Sequence, residues 1–406
     1  ILVHVVAIGW LSLLMCGALF QFVLVLVARP LHSNVLPLPA LFCLLAGLAA
    51  LVLSFLQLAG RVASDLPFFP LAGALLGAGF ALVLWTVART LWAGRPLPLP
   101  ARFVAVGLAS VGATAGLGII FALALGGATA YGPFLALTGA GLPVHVIAGL
   151  GGWLTFTAIG VSYRLLAMFM LAPELDRVSS RAALHLGTAA LAVAILGGPA
   201  AVLLQGGITP VLAAAGLLGA AAVALYGGDV LHLYRARKRR KIELNSRMTA
   251  LAVGSLGASV ALAAALLALG RLTAHVEAVV FLAVFGWLSG LGLSQLHKIV
   301  AFLTWLECYG PVLGKTQTPR VQDLVVERRA AKWYLLYFPA VWAGAIALLA
   351  GHAAAFQASA GAMLLATVGI ATELVRTRRL ADVETAPVLP PGARRPRLLL
   401  ALSRQT

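Results

Sequence analysis

The chain is dominated by apolar runs of about twenty residues or more, each long enough to cross about 30 Å of hydrocarbon as an α-helix. Backbone N–H and C=O groups in lipid must be paired within their own segment, so these runs predict helices and not irregular chain. Soluble domains carry about 25% charged residues. This chain carries 10% charged and 62% hydrophobic residues. We therefore predict an all-α transmembrane protein.

Proline, glycine and charged residues divide the sequence into eleven predicted membrane-spanning helices. We expect residues 1–380 to form one polytopic helical domain and residues 381–406 to form a basic C-terminal tail. The predicted spans are 1–27, 38–58, 68–87, 103–125, 142–171, 182–204, 211–233, 248–269, 276–306, 333–349 and 353–375.

The basic residues predict the orientation of these spans. All but four of the 29 Lys and Arg residues lie in alternate connections or in the C-terminal tail. Cytoplasmic loops of membrane proteins are enriched in Lys and Arg, so the C-terminal tail is predicted to be cytoplasmic. The membrane is expected to be the inner (plasma) membrane of a bacterium. Because this placement accounts for the net charge of +17, no nucleic-acid partner is expected. The expected partners are the lipid bilayer and other membrane or cytochrome subunits. The four Lys and Arg residues that lie outside the alternate connections and the tail are Arg61, Arg164, Arg271 and Lys298.

Three similar tetrapeptides indicate an internal repeat. They lie in the first, fifth and ninth predicted helices, where the copies start, so each pseudo-repeat contains four helices. Three pseudo-repeats make twelve helices, and we therefore expect one further helix before Ile1. The tetrapeptides are Gly9-Trp10-Leu11-Ser12, Gly152-Trp153-Leu154-Thr155 and Gly286-Trp287-Leu288-Ser289.

A histidine precedes the tryptophan of each tetrapeptide, near the predicted outer end of its helix. These residues are His4, His145 and His275. Ionisable side chains at membrane depth are functional candidates, and neutral imidazole is a good ligand for haem iron. Glu277 could orient the His275 ring or contribute weakly to a metal site. The alternative for each histidine is a hydrogen-bonded residue at the membrane interface.

Three groups of four helices, with histidines on the second, sixth and tenth when the expected helix is counted, resemble the catalytic subunit of haem-copper oxidases. The resemblance implies that His4 and His275 are axial ligands of a b-type haem and that His145 lies on the helix that supplies a copper ligand. The stretch from Lys298 to Trp305, followed by Tyr309-Gly310-Pro311, is similar to that of NnrS-type relatives, which are described as haem- and copper-containing proteins.

The chain departs from the oxidase pattern at the copper site. No His-Pro-Glu-Val-Tyr segment accompanies His145, and no adjacent His pair follows in the next helix. His275-Val276-Glu277 stands where the family has His-x-His. A complete copper site and oxygen reduction are therefore not expected.

These features predict a haem-binding integral membrane protein in electron transfer or nitric-oxide-related chemistry, and they leave enzymatic activity open. One alternative is a multi-pass transporter or permease, since transporters also use internal repeats. The acidic residues lie near predicted helix ends, however, and not at the midplane where transporter sites are found. The other alternative is a structural membrane subunit of a respiratory complex.

Overall fold

The computed structural model describes residues 1–383 and 389–396. Within these ranges all regular secondary structure is helical, and eleven helices are long and apolar enough to cross a membrane. The predicted all-α transmembrane class is therefore confirmed. The rest of the predicted tail, residues 384–388 and 397–406, lies outside the described residues.

The chain divides into two compact units, of which the first comprises Ile1–Arg240. It contains seven spans and the short helix α5. Its helices are α1 (Leu2–Val27), α2 (Pro37–Leu58), α3 (Phe68–Ala93), α4 (Leu99–Leu125), α5 (Gly132–Ala140), α6 (Leu142–Met170), α7 (Val178–Leu203) and α8 (Thr209–Ala236).

The second unit comprises Lys241–Thr406 and contains four spans. They are α9 (Leu244–Ala268), α10 (Val276–Val312), α11 (Glu327–Leu349) and α12 (Ala353–Arg378). After α12, the described part of the tail folds back onto the end of α10. There Leu380, Leu389 and Ala393 pack against a cluster that includes Cys308 and Leu324.

Several helices extend further at their basic ends than the hydropathy pattern predicts. Helix α9 begins four residues earlier, at Leu244, and α11 begins six residues earlier, at Glu327. Long basic side chains can keep their charges in water while their stems cover apolar surface. Helical hydrogen bonding therefore continues through charged turns that a search for apolar runs leaves out.

The opposite ends of four spans stop at a left-handed glycine. Helices α2, α4, α9 and α11 are each followed, two residues after their last helical residue, by a glycine with φ between 66° and 68°. A residue without Cβ adopts this conformation without steric cost, so these glycines end the helices.

The three tetrapeptides all lie in π-helical turns. These turns are Val5–Ser12 in α1, Ile147–Phe156 in α6 and Leu282–Ser289 in α10. Such wide turns are rare and occur frequently at functional sites. Nothing in the amino-acid pattern predicted them.

The glycine of the tetrapeptide allows a close helix contact within each unit. A Cβ on Gly152 would lie 2.4 Å from the side chain of Ser110 in α4, and a Cβ on Gly286 would lie 2.7 Å from Ser255 in α9. The tryptophans that follow these two glycines are fully buried. This agrees with the role of small residues in letting membrane helices approach one another.

Candidate functional site

His4 and His145 lie side by side in the first unit. Their ring centroids are 6.4 Å apart, and the ring planes are inclined by 45°. His4 immediately precedes the π-helical turn of α1, and His145 lies in the first turns of α6, two residues before the next π-helical turn. Residues that are 141 positions apart in the sequence therefore form one imidazole pair.

Aromatic rings surround the His4 side of the pair. The His4 ring stacks on Phe55 of α2, with centroids 5.6 Å apart and an interplanar angle of 28°. Phe55 in turn meets the ring of Phe69 edge to face at 5.4 Å. This apolar wall reduces the access of water to the half-buried imidazole.

His145 is held against α4. Its ring lies 5.4 Å from Phe121, and a Cβ on Gly118 would lie 3.3 Å from its Cε1 atom. Its Nδ1 atom is buried and has no hydrogen-bond partner among the described residues. Buried nitrogens are normally paired, so this one is a candidate ligand atom, although the same imidazole also interacts with the backbone of Thr114 in α4.

The spacing of the pair can be tested against the requirements of metal ligation. With metal–nitrogen bonds of about 2.0–2.1 Å, the ring centres of two imidazoles that share one metal ion lie at most about 6.5 Å apart. The observed 6.4 Å meets this requirement. The separation is therefore compatible with two imidazoles that share a metal ion, and haem iron accepts imidazole ligands.

His275 and Glu277 belong to the second unit. His275 is half-buried and occupies the N-cap position immediately before α10, where its side chain makes no capping hydrogen bond to any residue that the structure describes. Glu277 is exposed in the first turn of α10. The pairing of His4 with His275, and a metal role for Glu277, stay predictions. In the part of the chain that the structure describes, no group of three or more His, Cys, Asp and Glu side chains could hold a metal ion.

A buried carboxylate in the first unit was missed by the sequence reasoning, which placed it among acids at helix ends. Asp229 of α8 is only 1% exposed. It accepts hydrogen bonds from the hydroxyl of Tyr163, at 2.9 Å, and of Ser179, at 2.5 Å. Asp229 thus links α8 to α6 and α7. The signal in the sequence was an acid interrupting an apolar run directly after Gly227-Gly228.

In the second unit, an ionic cluster joins α11 to α12 and to the turn after it. The guanidinium of Arg329 donates to Glu373 at 2.7 Å and to Asp382 at 2.6 Å, and Arg376 donates to Asp382 at 2.7 Å. Asp382 lies beyond the last span. The two guanidinium groups, with Arg329 contributing most, lower the pKa of its carboxyl to about 2.

Comparisons with known proteins found no family model and no curated protein that matches this chain.

Proposed function

We propose that the protein binds haem and serves electron transfer or nitric-oxide-related chemistry, as a multi-pass protein of the inner membrane of a bacterium with its C-terminus in the cytoplasm. The membrane-spanning architecture supports the setting of this proposal. The observation that carries it is the pairing of His4 with His145 at 6.4 Å between ring centroids.

The surroundings of the pair support a prosthetic group. The orphaned Nδ1 of His145 is available as a ligand atom, and the rings of Phe55 and Phe121 give both imidazoles apolar neighbours. By proximity, His4 and His145 would hold the iron, whereas the resemblance to oxidases favours His4 with His275. When bound, haem would supply one-electron redox chemistry that no protein side chain at this site provides.

The residues of the chain have three tasks in this proposal. The two imidazoles bind and orient the group from different helices, and the aromatic rings exclude water. Gly118 keeps α4 close to the His145 ring, because a side chain there would meet Cε1 at 3.3 Å. Burial and hydrogen bonding around the ligands are the means by which a protein tunes a haem potential.

The test is an absorption spectrum of the protein purified from haem-replete cells, oxidised against reduced. We expect a Soret band that shifts on reduction and that falls at least about tenfold in His4→Ala. The variants His145→Ala and His275→Ala identify the second ligand. The substitution that removes this ligand abolishes the Soret band, and the other substitution leaves the band in place. His352→Ala, in the exposed turn between α11 and α12, is the control and should leave the spectrum unchanged. A colourless, haem-free preparation would refute the proposal.

A second candidate, a transporter, is favoured by Asp229, since buried acids inside membrane helices mark ion and substrate pathways. Its test is uptake into proteoliposomes made from haem-free protein. Transport that Asp229→Asn abolishes would favour this candidate. No uptake together with a haem spectrum would exclude it.

A further inference from the structure

The second unit contains two buried carboxamides on neighbouring helices, α9 and α10. Asn245 of α9 is 1% exposed, and Gln295 of α10 is 5% exposed. Both amide atoms of Asn245 and the Oε1 atom of Gln295 are buried without a hydrogen-bond partner among the described residues. Three orphaned polar atoms in one helix pair are unusual, because buried polar groups are nearly always satisfied.

Two polar links fix the register of the two helices. Near the start of α9, Glu243 forms an ion pair of 2.8 Å with Lys298 of α10. Further along, Thr249 Oγ1 accepts a hydrogen bond of 2.7 Å from Gln295 Nε2. Asn245 lies between Glu243 and Thr249 in the sequence, one helical turn before Thr249 and therefore on the same face of α9. Its carboxamide is thus placed between the two links, on the side that meets α10.

The hydrogen bond from Gln295 to Thr249 determines what the open atoms can bind. The Thr249 hydroxyl donates to the backbone carbonyl oxygen of Asn245 at 2.9 Å, so it accepts from Gln295 and leaves Gln295 Oε1 as a free acceptor. The Asn245 side chain adds an acceptor, Oδ1, and the two N–H donors of Nδ2. The nearby Glu243 and Lys298 neutralise each other, so the set favours an uncharged molecule that both donates and accepts hydrogen bonds.

We propose that α9 and α10 enclose an internal hydration site in which the carboxamides of Asn245 and Gln295 bind water. Water is the smallest molecule with the required donors and acceptors, and buried waters typically make two to four such bonds. The site lies next to the Glu243–Lys298 pair, near the start of α9. This inference is independent of haem binding.

Radiolytic hydroxyl-radical labelling of the intact protein in membranes tests the proposal, because radicals formed from bound water oxidise adjacent methionines. Met248, on the next turn after Asn245, reports on the site, and Met363 of α12 is equally buried at 7% exposure. We expect Met248 to be oxidised at least about threefold faster than Met363. We expect Asn245→Leu and Gln295→Leu each to reduce the Met248 rate to that of Met363.

Ala250→Leu is the matched control, since Ala250 is an exposed residue of the same helix and should leave the Met248 rate unchanged. Size-exclusion chromatography verifies that each variant is folded. The two leucine substitutions change the site on different helices, so if one variant fails to fold, the Met248 oxidation rate of the other tests the proposal. Met248 oxidation that is no faster than that of Met363, or that persists unchanged in a folded leucine variant, would overturn the proposal.

Discussion

Gly152 and Gly151 are neighbours in the π-helical turn of α6, and they should respond in opposite ways to substitution by alanine. A Cβ on Gly152 would lie 2.4 Å from the Ser110 side chain, which is far inside van der Waals contact. A Cβ on Gly151 would lie 3.8 Å from Ile147 and 4.0 Å from Leu191, at ordinary contact distances. A comparison of Gly152→Ala with Gly151→Ala therefore separates the effect of the close helix contact from the effect of replacing glycine by alanine.

The expected magnitudes follow from two opposing terms. Overpacking a well-packed interior costs about 1–3 kcal/mol, whereas replacing glycine by alanine within a helix gains about 0.8–1.0 kcal/mol. For Gly152→Ala we expect a net destabilisation of up to about 2 kcal/mol, because the clash outweighs the helix gain. For Gly151→Ala we expect a stabilisation of up to about 1 kcal/mol.

The assay is the free energy of unfolding in detergent, with the thermal midpoint as a second measurement. A rescue variant makes the test specific: Ser110→Gly removes the Cβ and Oγ atoms that lie 2.4 Å from the new Cβ, so it should recover part of the stability of Gly152→Ala, while Leu191 stays at 3.2 Å. Equal stability of the two alanine variants, or failure of Ser110→Gly to compensate, would refute the close contact of α4 with α6.

Three further predictions concern the polar contacts. Trp153→Phe removes the 3.0 Å hydrogen bond to Ser12 and should cost about 1 kcal/mol, with a double-mutant cycle with Ser12→Ala showing coupling. Asp229→Leu strands the buried Tyr163 hydroxyl and the half-buried Ser179 hydroxyl and should cost about 2–3 kcal/mol in unfolding experiments, with Asp229→Asn costing less. Asp382 has a depressed pKa of about 2, so the stability it contributes is complete above pH 4 and is lost as the pH falls towards 2. After solvent screening we expect about 1 kcal/mol, and Arg329→Gln should flatten this part of the pH profile.

The spans could be predicted from the sequence because hydrophobic length is a local property. Helix α2 was predicted at 38–58 and runs over Pro37–Leu58, since proline and glycine mark its two ends. The start of α11 at Glu327 was missed by six residues, because its first turns are charged. Their helical hydrogen bonds depend on backbone geometry and not on hydropathy.

The π-helical turns and the buried carboxylate depend on packing between helices and could be predicted only in part. The tetrapeptides were recognised as repeated elements, but their wide turns form where glycines such as Gly152 and Gly286 bring neighbouring helices close. The polarity of Asp229 was visible, whereas its burial depends on Tyr163 and Ser179 reaching it from two other helices.

The histidine pair shows why sequence offsets alone are a weak guide to ligands in this chain. His4 precedes its tryptophan by six residues and His145 by eight, so straight α-helices at about 100° per residue would direct the two rings about 160° apart relative to those tryptophans. The rings nevertheless meet at 6.4 Å, since they lie on different helices and the spacing of each from its own tryptophan does not determine how the two helices pack. Proximity between helices is therefore stronger support for a shared ligand than equal spacing along them. For this reason the spectrum of His145→Ala, set beside that of His275→Ala, is the measurement that decides which histidine acts with His4.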